Sequence, residues 1–304
     1  MSYAITDLHI HIQPFEQMKP AVQEVMRKGK EAHWERLMAL TRDPAALLEV
    51  MDASGVWRVG LINYPSPDLM GFDDSTNEFA ARYASAAPER LVPYGGVHPR
   101  FTRDPEGDVD RLIDLGIRCL KIHPPHQLYP ANAYTDGLEA LGRIYRRCEE
   151  RGLPVTIHTG TSIFPGARSK WGNPLEIDDV AIDFPDLRIL MAHGGRPFWM
   201  EEAFFVLRRH RNVHLEVSGI PPAKLLQYFP RLGDIAHKTL WGTDWPSPGV
   251  KDLRQNIDQF LGLPLTEEQQ RGILSENSLR LFPVAGRQAP DVSAGRDAEG
   301  AETG

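Results

Sequence analysis

Asp7-Leu8-His9-Ile10-His11 is the segment whose residue types and spacing most directly suggest chemistry. Read as an extended strand, it sends Asp7, His9 and His11 to one face and the two aliphatics to the other. Two imidazoles placed this way can chelate one ion, although an isolated His-x-His also occurs as a hydrogen-bonded structural pair. Two further segments weigh toward chelation. Val155-Thr156-Ile157-His158-Thr159-Gly160 ends an apolar run with a third imidazole, and Trp241-Gly242-Thr243-Asp244-Trp245-Pro246 ends another with a carboxylate. Three neutral nitrogens and one oxygen are the donor set of a catalytic divalent cation, Zn²⁺ in the first place and Mn²⁺ in the second. Metal ligands are therefore expected at His9, His11, His158 and Asp244.

His193, in Leu190-Met191-Ala192-His193-Gly194-Gly195, ends a further apolar run. With four ligands already supplied for one ion, His193 is read as a catalytic acid/base acting with Asp244. Its alternatives are a further ligand and a hydrogen-bond partner behind the site. Lys121 and His123 share a strand face in Cys119-Leu120-Lys121-Ile122-His123-Pro124 and are assigned to substrate binding. Lys121 has three readings: an ion pair with a substrate carboxylate, a carboxylated amine bridging two ions, or an internal partner for Asp7 or Glu216. Arg100, Arg168 and Trp245 complete the substrate-binding candidates. Arg100 and Arg196 both carry the planar fork that clamps a carboxylate. His126 is read as a loop residue, and His33, His210, His214 and His237 as structural.

Residues so far apart in sequence need a scaffold that brings them to one surface. Eight apolar runs are strand candidates, at 4–11, 56–64, 91–98, 117–123, 154–158, 187–193, 213–218 and 239–244. Segments of helical periodicity separate most of them, such as LEALGRIYRRCEERG, with Asp136 and Glu139 as a capping box and Gly152 as the stop. Eight such units in about 280 residues predict an α/β fold, a (β/α)₈ TIM barrel with a helical insertion after the first strand. His11, His98, His123, His158 and His193 fall at or near the carboxyl ends of these strands, the face on which such barrels carry their active sites. No glycine-rich dinucleotide fingerprint follows the first strand, and no other cofactor is expected.

The connection at about 12–55, with helical stretches at 21–40 and 44–53, is longer than a barrel needs, and part of it is expected to cap the mouth. The last helix should begin at Thr266, with Gln269 completing a capping box, and run to about Phe282. The domain plan is a barrel over 1–283 and a tail over 284–304. The stretch AGRQAPDVSAGRDAEGAETG has no aromatic and one large aliphatic, so the tail is expected to be disordered.

Composition narrows the partners. With 41% hydrophobic and 25% charged residues, the chain can bury a full core, which excludes collagen, coiled coil and wholesale disorder. Against 34 basic residues stand 41 acidic ones, a net charge of −7 that offers no basic face to nucleic acid. No run approaches the roughly 18 apolar residues of a membrane span. The start MSYAITDLHIHI has neither a basic leader nor a cleavable apolar region, so a cytoplasmic location and no membrane partner are expected. Cys119 and Cys148 are the only cysteines, so histidine and carboxylate must hold any metal.

Together these segments resemble the amidohydrolase superfamily, specifically the amidohydrolase-related group that includes aminocarboxymuconate semialdehyde decarboxylase and the resorcylate decarboxylases. The resemblance is carried by Asp7-Leu8-His9-Ile10-His11, Lys121-Ile122-His123-Pro124, Ile157-His158-Thr159-Gly160, Ala192-His193-Gly194-Gly195, Gly242-Thr243-Asp244-Trp245-Pro246 and Glu276-Asn277-Ser278-Leu279-Arg280-Leu281-Phe282. It extends to about Phe282. It implies the same four ligands, with His193 as acid/base or ligand, and a homodimer. Nuclearity stays open: the four ligands serve one ion, and a carboxylated Lys121 would admit a second.

The resemblance leaves the reaction open, because such barrels divide between two chemistries on nearly the same ligands. The expected function is a metal-dependent hydrolase using a metal-activated water on an amide, ester or lactone of a small, carboxylated substrate, with Asp244 and His193 moving the proton. The alternative is a metal-dependent decarboxylase of an aromatic or unsaturated carboxylic acid, in which His193 or Asp244 protonates the carbon that loses carbon dioxide. A third reading, an inactive barrel acting as a binding protein, predicts a damaged ligand set, and every ligand position here is intact.

Overall fold

The computed structural model describes residues 3–285, so the expected tail from 286 onward lies outside the described residues. Eight strands form the frame: β1 (Ile5–Ile10), β2 (Val56–Leu61), β3 (Leu91–Gly95), β4 (Cys119–Ile122), β5 (Val155–His158), β6 (Ile189–Ala192), β7 (Val213–Glu216) and β8 (Thr239–Leu240). They pair in parallel, in sequence order from β1 to β8. The ring closes just past the short β8. Leu8 N donates to Trp241 O at 3.0 Å, Asp244 N to His9 O at 2.8 Å and His11 N to Trp245 O at 2.7 Å. This is the (β/α)₈ barrel that the alternation of runs predicts.

Parallel strands are covered on both sides, which is why these segments read as nearly continuous apolar runs. Ile157, Ile189, Met191 and Leu215 belong to the large outer core against the helices. Leu8, Tyr94, Cys119, Leu190 and Leu240 form a smaller cluster that plugs the barrel. Above that plug the inward positions turn polar, with Lys121, His158 and Glu216 all buried.

The expected strict alternation along β1 does not hold. Asp7 pairs with Val59 and Ile10 with Leu61, three steps on one strand against two on the other, so a β-bulge lies at Leu8 and His9. Bulges re-aim side chains beside active sites. Here the bulge separates Asp7 from the two histidines. The Asp7 carboxylate accepts from Thr243 N at 3.0 Å, Thr243 Oγ1 at 2.7 Å and its own neighbour His9 N at 3.1 Å, tying β1 to the segment after β8.

The insertion after β1 contains helices α1 (Pro20–Arg27), α2 (Trp34–Leu40) and α3 (Pro44–Ser54). Asp43 caps α3 by accepting from Ala45 N and Ala46 N, Pro44 starts the helix, and Gly55 closes it in the left-handed region at φ 71°. α3 packs on β2 as an ordinary outer helix. Met18 and Met26 reach the barrel mouth.

The capping box expected at Asp136 and Glu139 is not formed. Helix Glu139–Arg151 starts after Leu138 without a side-chain cap, because Asp136 ends a separate turn, Ala133–Asp136, that Gly137 closes in the left-handed region. Gly152 does stop the helix. At the other end of the chain, Thr266 and Gln269 form the full box before Glu267–Arg271. The expected single helix is interrupted by a π-turn at Gly272–Glu276 before Asn277–Leu281. Changing Thr266 to Ala is expected to cost about 1 kcal/mol. Urea denaturation checks this; an unchanged midpoint would mean that the tertiary packing of this helix makes the box redundant. Among the described residues, no helix is long and apolar enough to cross a membrane.

Candidate functional site

A cavity of about 500 Å³ opens at the carboxyl ends of the strands and is lined by His9, His11, Lys121, His158, His193 and Asp244. Each of these residues lies in the last two positions of a strand or follows one, so the ring of strands brings them together. His9, His11 and Asp244 each offer a ligand atom within 4.8 Å of the others. His11 Nε2 lies 2.9 Å from Asp244 Oδ1, and His9 Nε2 lies 3.5 Å from the same oxygen. His158 faces the same cavity from β5, its ring 4.6 Å from that of His193 and stacked on His123 at 3.8 Å.

Two nitrogens in this group have no hydrogen-bond partner. His9 Nε2 and His158 Nε2 are both buried and unpaired. Each such atom costs about 1–3 kcal/mol unless something at the site satisfies it. Two unpaired imidazole nitrogens beside a His11–carboxylate pair are chemically suited to a divalent cation. Burial lowers the pKa of His9 and His158 well below the ordinary value, which keeps their lone pairs free.

Glu216 fixes the orientation of His9. One of its oxygens pairs with His9 Nδ1, and the other accepts from Ser218 N at 2.8 Å. A histidine held by a carboxylate on one nitrogen presents the other nitrogen as a ligand. Gly242 leaves room for this pair, since a Cβ there would stand 2.4 Å from Glu216 Oε1 and 2.8 Å from His9 Cβ. The sequence had placed Glu216 only as a candidate partner of Lys121; its position at the end of β7 was the available signal. Burial raises the Glu216 pKa, against the pull of Ser218 and Lys121. Glu216→Gln is expected to weaken metal binding about 10–100-fold. Competition with a calibrated chelator checks this, and an unchanged affinity would show that His9 needs no carboxylate behind it.

His193 and Asp244 share an unusual backbone feature. Both are non-glycine residues in the left-handed region, at φ 69° and φ 71°. Such conformations are costly and cluster at functional sites. His193 Nδ1 sits 2.8 Å from Ser218 O, and a ring nitrogen facing a carbonyl must carry the hydrogen. Its Nε2 therefore holds the lone pair in the neutral ring, the form that burial favours. Burial alone would push the Asp244 carboxyl up, but the His11 hydrogen bond, with His9 and Arg196 nearby, outweighs it and holds the group at about 2.

Lys121 is fully buried, and its ammonium has no hydrogen-bond partner. Burial lowers its pKa, while Glu216 and Asp244 pull it back up from a distance. The internal-partner reading thus finds charges nearby but no hydrogen bond. A second cation at the cavity is Arg196, with Nη2 3.6 Å from Asp244 Oδ2 and a buried, unpaired Nε. Arg196 thus lines the cavity beside Asp244.

Three substrate-side candidates do not reach the cavity lining. Arg100 is exposed and gives its guanidinium to Leu128 O at 2.7 Å, because the chain after His98 turns back on itself through Phe101 N and Thr102 N. Arg168 is exposed on the loop after β5. Trp245 is buried behind the mouth, where it bridges to Ile10. His126, read as a loop residue, instead forms part of the cavity wall. It sits on the short helix Pro124–Gln127, stacked on His123 at 3.5 Å, with Nδ1 2.8 Å from Tyr64 OH and Nε2 2.7 Å from Ser162 Oγ. His123 also lines the cavity.

A family model described as amidohydrolase matches residues 6–284. Among curated proteins, a 2-pyrone-4,6-dicarboxylate hydrolase from Comamonas testosteroni is 24% identical over 208 residues, 58% of this chain. The match spans 63% of that protein's length. Among solved structures, an uncharacterized TIM-barrel protein from Bordetella bronchiseptica is similar with a TM-score of 0.72 at 24% identity, covering 93% of this chain and 100% of that one. The 5-carboxyvanillate decarboxylase of Sphingomonas paucimobilis is similar with a TM-score of 0.62 at 19% identity, covering 93% of this chain and 100% of that one. At these identities the structural likeness is one of fold.

Proposed function

The chain belongs to the amidohydrolase family, and on that premise we propose that it is a metal-dependent hydrolase of an amide, ester or lactone in a small carboxylated substrate. His9, His11, His158 and Asp244 would hold one divalent cation, Zn²⁺ or Mn²⁺. When bound, such an ion polarises a substrate carbonyl and makes water acidic enough to attack near neutral pH.

The observation that carries the choice of hydrolysis is the state of the two proton-moving groups. Asp244 lies against His11 and Arg196, which favour its carboxylate form, and His193 is fixed through Nδ1–H to Ser218 O. Both therefore stand ready as bases. Hydrolysis begins by taking a proton from water and then returns it to the leaving group. A decarboxylase needs an acid in place when carbon dioxide leaves. The hydrolase relative from Comamonas points the same way.

Lys121 and Arg196 would meet the substrate carboxylate, and its approach would favour the charged form of the buried lysine. Met18, Met26 and the loop residues Ile163 and Phe164 line the outer cavity and would select the substrate's apolar body.

The test is turnover in ¹⁸O-labelled water on a panel of carboxylated lactones, esters, amides and aromatic acids. Label in the product acid without release of carbon dioxide is the expected result. Carbon dioxide release without incorporated label would replace the hydrolase with a carboxy-lyase on the same residues.

A further inference from the structure

A second cavity, of about 650 Å³, lies between the α1–α2 segment and the loop that follows β8. Its charge runs against that of the molecule. The cationic side chains Lys28, Lys30, Arg36 and Lys251 line it beside His33, in a chain of net charge −7. Asp252 is the lining carboxylate among the described residues, and it is already engaged: its Oδ1 accepts from Gln255 N at 2.8 Å to cap helix Leu253–Leu261. Lys30 Nζ donates to Met26 O at 3.1 Å. Among the described residues, Lys28, His33, Arg36 and Lys251 have no ion-pair partner.

Scattered solvated lysines on a convex face would call for no explanation. Cations gathered around one concavity repel each other within a Debye length, about 8 Å at physiological ionic strength. A cleft lined by one sign of charge also focuses its field on an oppositely charged ligand. The floor adds a second kind of surface, since Leu37, Leu40, Val50, Trp245 and Leu253 line the same cavity. The occupant that satisfies both is an anion carried on an apolar body.

We propose that this second cavity is a binding site, separate from the catalytic mouth, for a small amphipathic anion: a phosphate or carboxylate on an aromatic ring or acyl chain. Gly249, Val250 and Lys251 line both cavities, and Trp245 adjoins Asp244 in sequence. The two sites thus share the segment that carries the catalytic carboxylate.

Calorimetric titration of the full chain with 1-naphthyl phosphate and with 1-naphthoate tests the site. One saturable event per chain is expected with at least one probe, weakening as salt is raised. It should persist in His158→Ala and weaken about tenfold or more in the double variant Lys28→Glu, Arg36→Glu. Both changes are on exposed side chains, and the milder Arg36→Gln should give a smaller loss in the same direction. The tighter probe identifies the anion as phosphate ester or carboxylic acid. Absence of binding by the wild type, or equal binding by the double variant, overturns the site. Loss of binding in His158→Ala alone would also overturn it, by placing the anion in the catalytic cavity.

Discussion

His158→Ala and Asp244→Ala are each expected to remove most of the bound metal and to abolish turnover. The reason lies in the donor atoms. His158 Nε2 is buried without a partner, and Asp244 Oδ1 is the oxygen that both His9 and His11 approach. Losing a direct ligand should weaken binding by more than the roughly 10–100-fold that follows from losing a residue behind one. Elemental mass spectrometry on protein purified without added metal or chelator checks this, beside activity on the same preparation. About one ion per wild-type chain is expected. A ratio of about two would bring Lys121 in as a bridging carbamate and His193 as a ligand. Asp244→Asn separates charge from shape, since it keeps an oxygen in place but gives up the anion that Arg196 and His11 face. Full occupancy and activity in both alanine variants would remove the site from these residues altogether.

His193→Ala is expected to leave metal content nearly unchanged while kcat falls about 10²–10⁴-fold, the range for loss of a positioned acid/base. The ring is held by Ser218, with its carbonyl at 2.8 Å and its hydroxyl at 2.9 Å from Nδ1, so Nε2 is aimed before any substrate arrives. His and Ala both carry a Cβ that disfavours φ 69°, so the backbone costs are of the same order and an activity loss of this size reports on the ring. Partial rescue by added imidazole, with little change in KM, would mark a proton carrier. Loss of metal in this variant would instead redraw His193 as a ligand.

The barrel, and the cavity position of most of the candidate residues, are legible because each rests on a periodic signal. Strands buried on both faces admit few polar residues, so His158 and Lys121 stand out against their apolar neighbours. The carboxyl-end rule then places them on one face without any contact being known. What escaped the sequence depended on local geometry. The bulge in β1 separates Asp7 from His9 and His11, which period-two reading cannot foresee. Arg100 and Arg168 follow strands just as Arg196 does, yet the turn after His98 carries Arg100 out to Leu128 O, while Arg196 stays by Asp244. His126 is brought into the wall by a four-residue helix that begins at Pro124. Glu216 was visible as a charge at a strand end, but its pairing with His9 spans 207 residues of sequence.

The ring closure between β1 and the segment after β8 also sets an order of events during synthesis. His11 and Asp244 are 233 residues apart in the chain and 2.9 Å apart in space. A nascent chain emerging from the ribosome carries His9, His11 and His158, the three imidazoles proposed as donors, long before the carboxylate arrives. Those imidazoles have no common centre until the last strand has been made and has joined the first through Leu8, His9 and His11. A product truncated before Asp244 would keep His9, His11 and His158 without the group that completes them, so metal loading should distinguish finished from unfinished chains.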